Sequence, residues 1–62
     1  MKVRQVIQRL EKDGWKQVRM RGSHRQFKHP VKYGLVTVAG MLGDELATGT
    51  LGNIFKQAGL QK

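Results

Sequence analysis

The chain has 62 residues and carries 12 Lys and Arg against 4 Asp and Glu, a formal charge of +8. So short a chain builds one core and buries only about 60% of the surface its unfolded form exposes, so a single domain over 1–62 is expected. With no Cys, disulfides, thiolate metal sites and a Cys nucleophile are excluded. Apolar runs are too short for a membrane span, and no apolar stretch suited to a signal peptide follows the start, so a cytoplasmic protein without membrane contact is expected.

The charge is uneven. Residues 1–32 hold ten of the Lys and Arg, opposed only by Glu11 and Asp13, whereas Lys56 and Lys62 are balanced by Asp44 and Glu45. The whole excess therefore sits in the first half, which points to a polyanionic partner, above all nucleic acid.

In chain order, Val3, Val6, Ile7 and Leu10 form one apolar stripe at helical spacing, and Gly14 after Asp13 suits a left-handed stop. The first helix is thus expected over about Lys2 to Lys12. From Trp15, which should pack over the helix end, the pattern turns to alternation. Gly22-Ser23 reads as a two-residue hairpin turn with positive φ at Gly22. That turn sets Arg21 opposite His24, Met20 opposite Arg25, Arg19 opposite Gln26 and Val18 opposite Phe27. One face then collects Val18, Met20 and Phe27 as core, with Arg25 at its rim. The other collects Gln17, Arg19, Arg21, His24, Gln26 and Lys28, polar and cationic along its length.

His29-Pro30 ends the second strand, since Pro cannot donate to a central ladder. Leu35 to Val38 form the third strand, and Ala39 to Ala47 a loop. Leu51, Ile54, Phe55 and Ala58 mark a second helix, with Thr48 or Thr50 as cap, Gly59 as stop and Leu60 as the apolar contact beyond it. The order is α-β-β-β-α, an α+β fold with two helices on one face of a three-stranded antiparallel sheet and the other face wet.

The wet face singles out His24. Histidine both accepts and donates a proton near neutral pH. Beside it stand Arg19, Arg21 and Lys28, with Arg25 nearby, cations that can hold a phosphodiester and offset charge on its oxygens. On RNA, a base there can take the 2′-hydroxyl proton and start attack on the adjacent phosphorus, without a metal. On residues alone a surface His among cations is more often a hydrogen-bond donor to phosphate or a spectator than a base. His29, on the core face beside Pro30, reads as structural. Two His and the adjacent Asp44 and Glu45 offer no metal-ligand spacing, and no cofactor motif is present.

Four strings carry a family resemblance: L-E-K-D-G-W at 10–15, G-S-H-R-Q-F-K-H-P at 22–30, V-T-V at 36–38, and G-T-L-G-N-I-F-K-Q-A-G-L at 49–60. On these the chain resembles the HicA toxins of bacterial and archaeal HicAB toxin–antitoxin systems, over nearly its whole length. The resemblance implies a fold like the double-stranded RNA-binding domain and activity as a metal-independent endoribonuclease that cleaves mRNA. It makes His24, the His of Gly-Ser-His, the catalytic residue, with Gly22 and Ser23 as the turn that positions it. A HicB-type antitoxin is the implied protein partner. Arg19, Arg21, Arg25 and Lys28 as phosphate ligands rest on the hairpin argument, not on the family. The alternative is a non-catalytic RNA-binding module using the same basic face. The sequence departs from the family pattern at Ala39-Gly40-Met41, at Thr48-Gly49-Thr50-Leu51 and at Gly52-Asn53. Gly52 inside a helix costs roughly 1 kcal/mol relative to Ala.

Overall fold

The computed structural model describes residues 1–60. Helix α1 (Val3–Asp13) is followed by strands β1 (Lys16–Arg21), β2 (His24–Lys28) and β3 (Val36–Ala39), and then by helix α2 (Thr48–Gln57). The strands form one antiparallel sheet in the order β1-β2-β3, so the expected α-β-β-β-α architecture holds.

Local chemistry explains where each helix stops. Gly14 adopts φ 109°, and the amides of Gly14 and Trp15 donate to the carbonyls of Glu11 and Leu10. Gly59, at φ 68°, repeats the arrangement: its amide reaches Lys56 and that of Leu60 reaches Phe55. Both ends are glycine-terminated Schellman motifs that satisfy carbonyls the helix leaves unpaired. The start of α2 differs from expectation. Ala47 is its N-cap, no side chain caps it, and Thr48 is already its first helical residue. The amides opening α1 instead find main-chain partners, Val3 on the Asp44 carbonyl and Arg4 on that of Leu42.

The core joins Val3, Val6 and Leu10 of α1 to Trp15, to Phe27, Val36 and Val38 of the sheet, and to Ile54, Phe55 and Ala58 of the second helical segment. Trp15 is fully buried against the helix end, as its position after Gly14 implied, and meets the His29 ring edge-on at 5.2 Å. His29 is the structural residue expected. Its Nε2 donates to the Asp13 carbonyl at 2.8 Å, while Nδ1 accepts from the amides of Val31 and Lys32. Lys32 completes the clasp: its Nζ reaches Asp13 Oδ2 at 2.6 Å and the Ala58 carbonyl at 3.1 Å, so one ammonium ties the C-terminal ends of both helices.

Strand β1 corrects the sequence reading. The register breaks between Gln17 and Arg19, so Val18 is the extra residue of a bulge and Gln17 stands opposite Phe27. Every β1 residue is exposed, Val18 at 55% and Met20 at 52%, so neither belongs to the core. The physical reason is coverage: α1 and α2 pack on β3, and β1 is left as an open edge beyond them. Leu35 lies just outside β3 and is half exposed.

Candidate functional site

The hairpin turn is built as its sequence demands. Gly22 has φ 56°, and among the described residues only glycines take a positive φ, so Ser23 stays on the ordinary side of conformational space. That combination fits a turn with glycine at its first central position. Past the bulge the expected register is observed: Arg19 pairs with Gln26, Met20 with Arg25 and Arg21 with His24. On the other side of β2, His24 pairs with Ala39, Arg25 with Val38 and Gln26 with Thr37.

Residues directly opposite in an antiparallel sheet share a face, with Cβ atoms about 4.5–5.5 Å apart. His24 therefore sits on the central strand with Arg21 beside it on one side and Ala39 on the other. The next row on the same face is Arg19, Gln26 and Thr37, about 7 Å along the strand. These rows enclose a depression of about 230 Å³ lined by Arg19, Arg21, His24, Gln26 and Thr37. His24 is exposed at its edge, and its ring makes no hydrogen bond to any of the described residues, which leaves both ring nitrogens open to a ligand.

The phosphate candidates divide. Arg19 and Arg21 share the depression with His24. Lys28 lies farther along β2, opposite Lys16, and extends the cationic face at its far end. Arg25 does not join them. It is 8% exposed on the core side, and its Nη1 donates to the Gly40 carbonyl at 2.7 Å. The Gly40 amide in turn donates to the Ser23 carbonyl. Arg25 thus braces the turn that holds His24 from behind. Gln26, which the hairpin alternation places on this face, and Thr37, which it does not, complete the depression. The alternation Val36-Thr37-Val38 signals that Thr37 faces water, but its position beside Gln26 depends on how β3 registers on β2.

Among the described residues, no three His, Cys, Asp or Glu side chains gather as metal ligands. No helix among them is long and apolar enough to cross a membrane. A basic depression around one His, on a sheet of this topology, is what the comparison with known families then meets. Residues 3–60 match the HicA toxin of bacterial toxin–antitoxin systems. The chain belongs to the HicA toxin family. No curated protein matches the sequence. Membership covers nearly the whole chain, both helices and the sheet included, and it implies an antitoxin partner.

Proposed function

We propose that this HicA family member is a metal-independent endoribonuclease that cleaves mRNA, acts through His24 as general acid/base, and is neutralised in the cytoplasm by a HicB-type antitoxin. The observation that carries the reading is the setting of His24: exposed on the outer face of the central strand, directly opposite Arg21, in a depression shared with Arg19, Gln26 and Thr37. A phosphodiester in that depression meets two guanidinium groups suited to its oxygens, and a neighbouring 2′-hydroxyl comes within reach of the imidazole.

The chemistry then follows. Neutral His24 accepts the 2′-hydroxyl proton as the 2′-oxygen forms a bond to phosphorus. The bond from phosphorus to the 5′-oxygen breaks, leaving a 2′,3′-cyclic phosphate on one product. Water protonates the departing 5′-oxygen and takes up the proton from His24. Arg19 and Arg21 stabilise the added charge on the phosphoryl oxygens, where fixed cations act most strongly. Gln26 and Thr37 supply hydrogen bonds to sugar or base, and Lys28 holds a phosphate farther along the strand. DNA, lacking the 2′-hydroxyl, is not a substrate.

Purified protein incubated with RNA in EDTA tests the proposal. Cleavage by the wild-type chain, lost in His24→Ala while RNA binding persists, supports it. RNA bound but left intact by the wild-type chain would select the non-catalytic binding module instead.

A further inference from the structure

On the side of the hairpin away from His24 lies a groove of about 550 Å³ that the proposed reaction does not use, walled by Met20, Met41 and Leu42 and floored by Arg25 and the Gly22-Ser23 turn. Its apolar walls stand in water: Met20 is 52%, Met41 67% and Leu42 51% exposed. The walls are held in place. Asp44 closes the 41–44 turn by accepting the Met41 amide on Oδ2 and donating its own amide to the Met41 carbonyl. The Leu42 carbonyl accepts the Arg4 amide, and Arg25 and Gly40 tie the same loop to the hairpin. Exposed methionines and a leucine on a preformed frame are an interaction surface with a small ordering cost.

The charge around the groove decides its occupant. Arg4 approaches its Gly43 wall, and round the hairpin edge, on the face that holds His24, β1 exposes Lys16, Arg19 and Arg21. A second copy of this +8 chain would bring like charges together, and the cations and bulge of β1 oppose strand pairing between copies. A partner of opposite sign fits both features. We propose that the antitoxin docks here, seating an apolar side chain flanked by carboxylates between Met20, Met41 and Leu42. This rests on the toxin–antitoxin reading. The anchor lies directly behind the turn that carries His24, so an antitoxin gripping it needs only to pass the Gly22 edge to cover the basic depression.

The test measures binding of the protein encoded by the adjoining reading frame to the His24→Ala chain, which permits expression. Leu42→Ala and Met41→Ala, confirmed as folded by thermal melting, should each weaken binding by about 30-fold, the size of an interface hot spot. Leu42→Glu should weaken it further, while Tyr33→Glu, an equal charge change on an exposed residue elsewhere, should not. Unchanged binding in the Leu42 and Met41 variants overturns the docking site and leaves the toxin–antitoxin reading standing. Equal loss in Leu42→Glu and Tyr33→Glu, with the alanine variants unaffected, also overturns it, since net charge alone would then explain the effect. Loss of RNA binding in the alanine variants with antitoxin binding intact assigns the groove to RNA. If the wild-type surface binds no such protein, the toxin–antitoxin reading fails and the docking site with it.

Discussion

The Arg25 guanidinium and the Gly40 carbonyl meet at 2.7 Å on the face of the sheet opposite to His24. One arginine of the basic hairpin is therefore bound into the fold while its neighbours Arg19 and Arg21 stand exposed on the other face. Removing a hydrogen bond from a charged donor in a buried setting costs about 1.5–3 kcal/mol. Arg25→Ala should lower the melting temperature by roughly 4–8 °C per kcal/mol lost in a domain of this size. It should leave the salt dependence of RNA binding unchanged. Calorimetric melting and a salt titration check both halves, and an unaltered melting temperature with a shallower salt slope would show Arg25 acting on RNA instead.

The reverse outcome is expected at Arg19. It is exposed and shares the depression with His24, so Arg19→Ala should leave melting essentially unchanged. The slope of log affinity against log salt should fall by about 0.7 for single-stranded RNA, one phosphate contact. His24→Ala should spare both quantities and reduce cleavage by about 10²–10⁴-fold, the usual range for a general acid–base group. A His24→Ala protein that still cleaves at the wild-type rate would rule out the imidazole as the base.

What the sequence made legible was local. The glycine stops at Gly14 and Gly59, the turn at Gly22-Ser23 and the pairing of Arg21 with His24 all depend on residues within a few positions of one another. Hence the exposed His with arginines beside it was readable before the fold. Three features were not, and each depends on distant chain. Val18 and Met20 alternate like core residues, but they are bare because both helices lie over β3. Arg25 is buried because the carbonyl that holds it comes from Gly40, beyond the third strand. Lys32 stands between the second and third strands, where nothing nearby in sequence marks its role, yet it bridges Asp13 and the Ala58 carbonyl, the C-terminal ends of two helices that only the fold brings together.

Three glycines should respond differently to alanine. Gly14 needs a positive φ, and a Cβ there would lie 2.8 Å from His29 Nε2. That ring is fixed by hydrogen bonds on both nitrogens and by Trp15, so it cannot give way. Gly14→Ala should therefore cost more than the roughly 1–2 kcal/mol of left-handed strain alone. Gly22→Ala, with φ 56° and open space around it, should cost only that strain. Gly52, exposed in the interior of α2 with nothing near its Cβ position, should gain about 0.5–1 kcal/mol as alanine. Urea midpoints for the three variants should fall in that order, and a destabilised Gly52→Ala would show that α2 needs flexibility there.

The Asp13–Lys32 bond sets an acid dependence with a definite sign. Hydrogen bonding to the Lys32 ammonium, with its charge acting in the same direction, holds the Asp13 carboxyl below the usual carboxylate range. Folded protein then binds that proton less readily than unfolded chain, so the ionised carboxylate favours folding. Its contribution is present in full above the unfolded value and is lost as pH falls through the lowered folded one. Asp13→Asn should thus be less stable than wild type near neutrality, and the gap should close in acid. The Lys32 contacts to the Ala58 and Gly59 carbonyls do not depend on that titration and should persist in both proteins. Lys32→Met removes them together with the ion pair, so it should remain less stable than wild type even where Asp13→Asn has converged. Urea unfolding across a pH series measures both differences, and a gap for Asp13→Asn that stays constant into acid would remove the ion pair from the clasp.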